Sequence, residues 1–96
     1  MKTREEILRI LTAEKSELQR LYKVQKLALF GSYAREEQTE NSDVDILVEV
    51  DPSIGLEFVS LAERMEKSLG LRVDLVSRRS IKPGKMEVIA RDLTYV

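Results

Sequence analysis

The sequence predicts a small α/β (α+β) domain whose mixed sheet carries helices mainly on one face. Three short apolar runs, within residues 24–30, 43–50 and 71–76, have the length and composition of strands. Two longer segments, residues 3–22 and 56–69, repeat apolar residues at the spacing of amphipathic helices. We expect a single domain over residues 1–96, because a chain of this size can bury one core and not two.

The N-terminal segment predicts either one long helix or two shorter helices that break near residues 12–15. Thr3 and Glu6 have the spacing of a capping box, which would satisfy free N–H groups at the start of the helix. A strand from Val24 to Phe30 is expected to follow. The apolar positions of the helical segment are Ile7, Leu8, Leu11, Leu18, Leu21 and Tyr22.

The two residues after the first strand, Gly31 and Ser32, predict a contact point for phosphate. Tyr33–Gln38 are fair helix formers, so a helix beginning at Ser32 would direct its free N–H groups at a ligand beside the glycine. Gly31 has no Cβ, which would let a phosphate approach the backbone closely. Two simpler alternatives, a turn glycine and an N-cap serine, are both compatible with phosphate binding.

The second strand, residues 43–50, predicts a pair of carboxylates on one face of the sheet. Asp43 and Asp45 share a face and lie about 7 Å apart at the backbone, from a rise of about 3.3 Å per residue. Such side chains can converge on hard cations, and two metal ions about 3.5–4 Å apart commonly assist displacement at phosphorus. Alternatively, both are ordinary polar residues on a solvated strand, although aspartate favours strands poorly. The alternating apolar residues of the buried face are Val44, Ile46, Val48 and Val50.

The next segment predicts a strand–helix–strand crossover. A helix over residues 56–69 would end at Gly70, and a strand within residues 71–76 would then pair in parallel with the second strand. Asp74 lies between apolar residues of that strand, so it is the expected third carboxylate; its alternative partner is an arginine. Apolar residues within 86–93 predict a short final helix.

The composition limits the available chemistry. The 96 residues include no cysteine and no histidine, which excludes disulfides, thiolate and histidine-based catalysis, and most zinc sites. Catalysis must therefore use carboxylate, lysine, arginine, serine or tyrosine side chains, and a hard cation with oxygen ligands fits that set best. Ser32 is not expected to be a nucleophile, since no histidine is present to activate it.

Charge and hydropathy limit the expected partners. The net charge of −1 gives no basic footprint, so no dedicated nucleic-acid surface is expected. No run of 18 apolar residues and no signal-peptide pattern occurs, so we expect a cytoplasmic protein without a membrane partner. We expect the tyrosines at positions 22, 33 and 95 to pack, although Tyr33, beside the glycine, could instead contact a nucleotide. Five cations in the C-terminal third would either meet an acidic partner or a triphosphate, or form a solvated surface: Arg72, Arg78, Arg79, Lys82 and Lys85.

The motifs and their order along the chain resemble those of the polymerase-beta-type nucleotidyltransferase superfamily. The matching elements are Gly31-Ser32, a ten-residue gap, Asp43-Val44-Asp45, and Val73-Asp74-Leu75-Val76. The fuller string Gly31-Ser32-Tyr33-Ala34-Arg35 through Ser42-Asp43-Val44-Asp45 is similar to minimal nucleotidyltransferase (MNT) domains, known as antitoxins of HEPN–MNT toxin–antitoxin pairs. The resemblance extends from about Val24 to the C-terminus and implies the polymerase-beta-type fold.

The resemblance also implies an activity, which is transfer of AMP from ATP to a tyrosine of a HEPN-type toxin. Asp43 and Asp45 would bridge two magnesium ions. Asp74 would complete the metal site and would also receive the proton of the acceptor hydroxyl.

The nucleotide would be bound by the residues around the glycine. Gly31 and Ser32 would present donors to the β- and γ-phosphates of ATP. Arg35 would either clamp a phosphate or pair with Glu37 or with an aspartate of the site.

The resemblance further implies that another protein chain completes the site. Larger superfamily members add a helical domain, so we expect the toxin, or a second copy of this chain in a homodimer, to supply the missing walls. Two other functions stay open. One is an antitoxin with weak catalysis that neutralises its partner by binding, and the other is a nucleotidyltransferase that modifies an aminoglycoside-like small molecule.

Overall fold

The structure, a computed structural model, describes residues 2–96. Within this range the chain forms four helices and four strands joined by short turns. The helices are α1 (Arg4–Tyr22), α2 (Gly31–Ala34), α3 (Glu57–Leu69) and α4 (Pro83–Ala90). The strands are β1 (Val24–Phe30), β2 (Val44–Val50), β3 (Val73–Ser77) and β4 (Thr94–Tyr95), and 3₁₀ turns occupy Pro52–Ile54 and Arg78–Ser80.

The four strands form one mixed sheet in the order β3-β2-β1-β4. Strand β1 pairs antiparallel with β2 and β4, whereas β2 pairs in parallel with β3. Helix α3 makes the crossover between the two parallel strands, and it ends where Gly70 adopts a left-handed conformation with φ of 68°. The parallel pairing and the glycine end predicted from the strand–helix–strand order are both confirmed.

Helices α1 and α3 pack on one face of the sheet and bury the core there. The helices contribute Ile7, Leu11, Leu18, Leu61, Met65 and Leu69, and the strands contribute Leu27, Leu29, Val44, Ile46 and Val48. Tyr33 is only 1% exposed and belongs to the same core, so the prediction that it packs is confirmed. The opposite face carries Asp45 and Asp74 beside the buried Ala28 and Leu47, and Ile89 of α4 lines a cavity on this face.

Helix α1 is one uninterrupted helix, which decides between the two alternatives left by the sequence. The predicted capping box is present, because Thr3 Oγ1 accepts from the Glu6 N–H at 3.2 Å and Glu6 Oε1 accepts from the Thr3 N–H at 3.0 Å. Thr12, near the expected break, donates its hydroxyl to the Leu8 carbonyl at 2.7 Å and stays helical. None of the helices within residues 2–96 has the length and apolar character that crossing a membrane requires.

The helix after Gly31 is shorter than predicted. Helix α2 is a single turn that ends at Ala34, whereas the sequence predicted helix through Gln38. Glu36 adopts a left-handed conformation with φ of 60°, and the Glu37 N–H donates to the Ser32 carbonyl at 2.9 Å, which closes the turn. Helix propensity is a weak preference, and here the tertiary contacts of this segment override it.

The C-terminal segment differs from the prediction in two respects. Helix α4 begins at Pro83, before residue 86, because proline suits the first turn of a helix. Thr94–Tyr95 forms an edge strand that was not predicted, since two residues are too few to show a periodic pattern. Tyr95 is 51% exposed on that edge, so the prediction that it packs is wrong.

Candidate active site

Asp45 and Asp74 lie side by side on the face opposite α1 and α3. The register of the parallel pair sets the Cα of Asp45 directly against the Cα of Asp74. Alternation along β2 sends Val44 and Ile46 into the core, so Asp45 points to the other face. The predicted juxtaposition of these two aspartates is confirmed by the register, and their role as ligands stays a prediction.

The carboxyl group of Asp45 is held in an unfavourable electrostatic environment. Burial, the negative charges of Asp74 and Asp43 and a hydrogen bond with Asp74 together raise the pKa of Asp45 from its ordinary 3.8 to about 6, and burial is the largest of these causes. The positive charge of Arg35 opposes this rise only in part. Three neighbouring carboxylates therefore leave an excess of negative charge on this face, which favours a bound cation.

Replacing Asp45 by asparagine is expected to stabilise the metal-free protein at pH 7. The folded state keeps the Asp45 proton up to about pH 6, whereas the unfolded chain releases it near 3.8. Ionisation of this group therefore lowers the free energy of unfolding as the pH rises through that window. Because solvent partly screens the half-buried carboxyl, we expect a gain of about 1 kcal/mol, or about 4–8 °C in the midpoint of thermal unfolding.

Denaturant unfolding in EDTA at pH 7 and pH 4 measures this effect. The difference between the Asp45→Asn variant and the wild type should shrink at pH 4, where Asp45 is protonated in the folded state. Glu49→Gln is the matched control, since Glu49 lies on the same strand and face, and it should stay within about 0.5 kcal/mol of the wild type. An asparagine variant that is no more stable than the wild type at pH 7 would contradict the prediction.

Asp43 lies just before β2, where Arg72 holds its carboxylate. Arg72 Nε donates to Asp43 Oδ1 at 2.8 Å, and Arg72 Nη2 donates to the Asn41 carbonyl at 2.9 Å. In this conformation no three acidic side chains of residues 2–96 are close enough together to enclose a metal ion. An arginine was the alternative partner expected for Asp74, but in the structure Arg72 pairs with Asp43.

Gly31 is packed directly against the carboxylate of Asp45. Its φ of +77° belongs to the left-handed region that side chains with a Cβ adopt at a cost. A methyl group built on Gly31 would overlap Asp45 Oδ2 and would lie 2.9 Å from Asp45 Cγ. The sequence predicted that the missing Cβ makes room for a phosphate, and the structure shows that it makes room for the carboxylate.

Ser32 follows Gly31 in the single turn of α2. The first N–H groups of a helical turn have no partner within the helix, so they remain available to an anion. Since α2 is only four residues long, its dipole is weaker than the longer predicted helix would provide. Donors at Gly31 and Ser32 can therefore offer an anion individual hydrogen bonds but little attraction from a helix dipole.

Arg35, at the end of α2, is held by two acidic side chains. Its Nη1 donates to Asp92 Oδ2 at 2.7 Å, and its Nε donates to Glu37 Oε1 at 3.3 Å. The bond to Asp92 is the main reason that the pKa of Arg35 is raised above its ordinary value. The pairing with Glu37 was one of the predicted alternatives, whereas Asp92 was missed because it lies 57 positions away in the sequence.

A cavity of about 360 Å³ opens on the same face as the aspartates. Two of its residues place it beside them, because Phe30 pairs with Asp45 across β1 and β2 and Val76 follows Asp74 by two positions on β3. The remaining lining residues are Ser80, Ile81, Lys82, Lys85 and Ile89. Two members of the predicted cationic cluster, Lys82 and Lys85, thus border an apolar recess next to the carboxylates.

The side chains on this face suit a hard divalent cation. Carboxylate oxygens are the donors that magnesium prefers. The pKa of Asp45 is raised first by burial and then by the negative charges of Asp74 and Asp43, and a cation would neutralise that charge. The neighbouring backbone donors and lysines suit an anionic ligand. The arrangement is therefore suited to a metal–phosphate complex.

Comparisons with known proteins agree with this chemistry. Residues 13–96 match the family model of the nucleotidyltransferase domain. The chain is 49% identical over 98 residues to the protein adenylyltransferase MntA of Thermococcus cleftensis, across 100% of this chain and 98% of that protein.

Among the solved structures that share the fold, two bear on function. One, provisionally described as a minimal nucleotidyltransferase, matches with a TM-score of 0.84 and 32% identity over 97% of this chain and 95% of that chain. The other, a tri-AMPylated Shewanella oneidensis HEPN toxin in complex with MNT antitoxin, matches with a TM-score of 0.60 and 25% identity over 96% of this chain and 66% of that chain. The present chain therefore belongs to the nucleotidyltransferase domain family, and the fold and enzyme class that its motifs predicted are confirmed.

Proposed function

We propose that this protein is a magnesium-dependent adenylyltransferase that transfers AMP from ATP to a HEPN-type toxin and thereby acts as an antitoxin. The observation that carries the proposal is the pairing of Asp45 with Asp74 directly beside the Gly31 turn. Similarity to a protein adenylyltransferase over the full chain supports AMP as the transferred group. Similarity to MNT antitoxin bound to an AMPylated HEPN toxin supports the acceptor.

The three aspartates would hold the metal and accept the proton. Asp43, Asp45 and Asp74 would bind magnesium through their carboxylate oxygens. When bound, magnesium would lower the pKa of the acceptor hydroxyl and stabilise the departing pyrophosphate. Asp74 lies on edge strand β3 with an exposed side chain, so an acceptor can reach it and pass its proton to the carboxylate. The acceptor oxygen bonds to the α-phosphorus of ATP as the bond from that phosphorus to the pyrophosphate oxygen breaks.

The turn after β1 would bind the outer phosphates. Gly31 and Ser32 offer backbone N–H groups and one hydroxyl to the β- and γ-phosphates. Arg35 lies close enough to Asp45 to influence its pKa, and Asp92 fixes its guanidinium. These contacts support a role in which Arg35 would contact a phosphate that approaches the aspartates.

The cavity beside the aspartates would receive the adenine base. Its apolar walls suit a flat ring, and Lys82 and Lys85 suit the anionic part of the nucleotide. Ile81→Ser is expected to weaken ATP binding about tenfold by removing apolar contact, while binding of inorganic triphosphate changes little. Competition against a fluorescent ATP analogue measures both constants.

The control for the cavity is Val88→Ser. Val88 lies on α4 but is exposed and does not line the recess, so this change should leave both constants near those of the wild type. If Ile81→Ser weakens ATP and triphosphate equally, or weakens neither, the base does not bind in this cavity.

The proposal is tested with ATP labelled at either the α- or the γ-phosphate. The purified protein, magnesium and a HEPN-type toxin should together move the α-label, and not the γ-label, onto the toxin. EDTA should prevent labelling, and this protein without toxin should give weak or no transfer, because we expect the toxin to complete the site. Transfer of the γ-label, or no label on the toxin, would contradict AMP transfer. Strong modification of an aminoglycoside would favour the small-molecule alternative.

A further inference from the structure

We propose that Arg72 is a positioning residue that holds the carboxylate of Asp43 in place for cation binding. The inference rests on the proposed function, because it assigns to Asp43 the role of a metal ligand. Its basis is the hydrogen bond from Arg72 Nε to Asp43 Oδ1, at 2.8 Å, together with two further bonds that fix Arg72 itself.

Arg72 connects the segments that carry two of the three aspartates. Its Nη2 donates to the Asn41 carbonyl at 2.9 Å, so the guanidinium binds the loop at two points. Its own carbonyl accepts from the Val44 N–H at 2.8 Å, which joins the start of β2 to the segment that leads into β3. Because Asp74 follows Arg72 by only two residues, the position of Asp43 is tied to the strand that carries Asp74.

The geometry leaves part of Asp43 available. A carboxylate has two oxygens, and Arg72 engages Oδ1. No hydrogen bond to Oδ2 occurs within residues 2–96, so this oxygen can bind a cation. The Arg72 and Asp43 side chains are 66% and 50% exposed, so their attraction contributes little to folding stability. The hydrogen bond from Arg72 restricts the orientation of the Asp43 carboxylate. Ligating carboxylates that are held by a hydrogen bond in this way bind metal more tightly.

Removal of Arg72 changes metal affinity in opposite directions if the residue positions Asp43 and if it only repels the cation. A guanidinium beside a metal site repels a divalent cation, so its removal on electrostatic grounds alone would tighten metal binding. An arginine that competed with the metal for Asp43 would give the same result on removal. Positioning predicts the opposite, because the released carboxylate must be ordered again when the metal binds.

The test measures manganese binding without turnover. Mn²⁺ is titrated into the protein saturated with the non-hydrolysable analogue AMP-PNP, and free Mn²⁺ is followed by electron paramagnetic resonance. We expect Arg72→Gln to weaken Mn²⁺ binding about five- to tenfold, at the lower end of the range for such supporting contacts because the pair is exposed. Arg72→Lys keeps the charge, but one ammonium group cannot reach both acceptors. Its affinity for Mn²⁺ should therefore lie between that of the wild type and that of Arg72→Gln.

Arg78→Gln is the matched control. Arg78 belongs to the same cationic cluster and lies in the 3₁₀ turn after β3, but among the described residues no hydrogen bond or ion pair joins it to Asp43. Its loss should therefore leave Mn²⁺ binding unchanged or slightly tighter. In transfer assays, Arg72→Gln should raise the magnesium concentration needed for half-maximal rate while kcat at saturating magnesium stays near the wild-type value.

Equal or tighter Mn²⁺ binding by Arg72→Gln would overturn the positioning role. If that variant does not fold, Arg72→Lys decides, since wild-type binding by it would equally overturn the inference. Failure of the wild type itself to bind Mn²⁺ with AMP-PNP would instead remove the metal-dependent function on which the inference rests.

Discussion

Replacing Asp43 and Asp45 together by alanine is expected to reduce AMP transfer at least about a thousandfold. The two changes remove the carboxylate that the structure places against Asp74 and the one that Arg72 holds at the edge of the same face. Metal assistance at phosphorus contributes several kcal/mol to transition-state stabilisation, and each 1.36 kcal/mol changes the rate about tenfold. The rate of α-label transfer to the toxin, with and without the substitutions, measures the loss.

Glu49→Ala is the control for this experiment. Glu49 is also acidic and lies on β2, four positions after Asp45 and therefore on the same face of the sheet. It should transfer AMP at nearly the wild-type rate. Labelling that survives in the double variant would refute the carboxylate mechanism.

The same double variant separates catalysis from binding as the way in which the toxin is neutralised. If AMP transfer is the mechanism, the variant should form the complex and still fail to protect cells from the toxin. If protection persists without transfer, the protein neutralises its partner by occupying its surface, and the active-site residues then serve nucleotide binding or structure.

The main elements of the site followed from local sequence patterns. Strict alternation of Val44 with Ile46 fixed the face on which Asp45 lies. The strand–helix–strand order then predicted parallel pairing beside the second strand. Asp74 lies on the same face as Asp45 because Val73 and Leu75, on either side of it, pack against the core. These inferences need only residue periodicity and chain topology, and both can be read from one sequence.

The contacts that adjust the site could not be predicted, because they join residues that are distant in the chain or are set by local backbone geometry. Arg35 contacts Asp92, 57 positions away, because the C-terminal segment folds back and pairs with β1. The sequence offered several cations near Asp74, and nothing in their spacing singled out Arg72 as the partner of Asp43. The left-handed residue Glu36 ended α2 early although its neighbours favour helix.

Gly31→Ala is expected to be the single substitution that damages the site most severely while adding only one methyl group. The backbone at this position has φ of +77°, and the new methyl would overlap Asp45 Oδ2. Backbone strain and overpacking each cost about 1–3 kcal/mol, so we expect a loss of about 3 kcal/mol in the free energy of unfolding. The displaced Asp45 should also lower AMP transfer by at least about a hundredfold, since small displacements of catalytic groups have effects of this size.

Gly70→Ala is the matched control for the cost of backbone strain alone. Gly70 has a similar φ of +68°, but a methyl group there would lie 3.9 Å from Lys2 Nζ and would meet no site residue. It should cost about 1 kcal/mol of stability and leave the transfer rate unchanged. The difference between the two variants therefore measures the overlap with Asp45.

A double-mutant cycle identifies the side chain responsible. If the methyl group acts by pressing on the Asp45 carboxylate, Asp45→Ala should restore about 1–2 kcal/mol of the stability that Gly31→Ala removes, because the overlapping atoms are then absent. Urea unfolding of the wild type, both single variants and the double variant gives this coupling energy. A coupling near zero would mean that backbone strain accounts for the whole effect, and that the contact between Gly31 and Asp45 does not determine where the carboxylate lies.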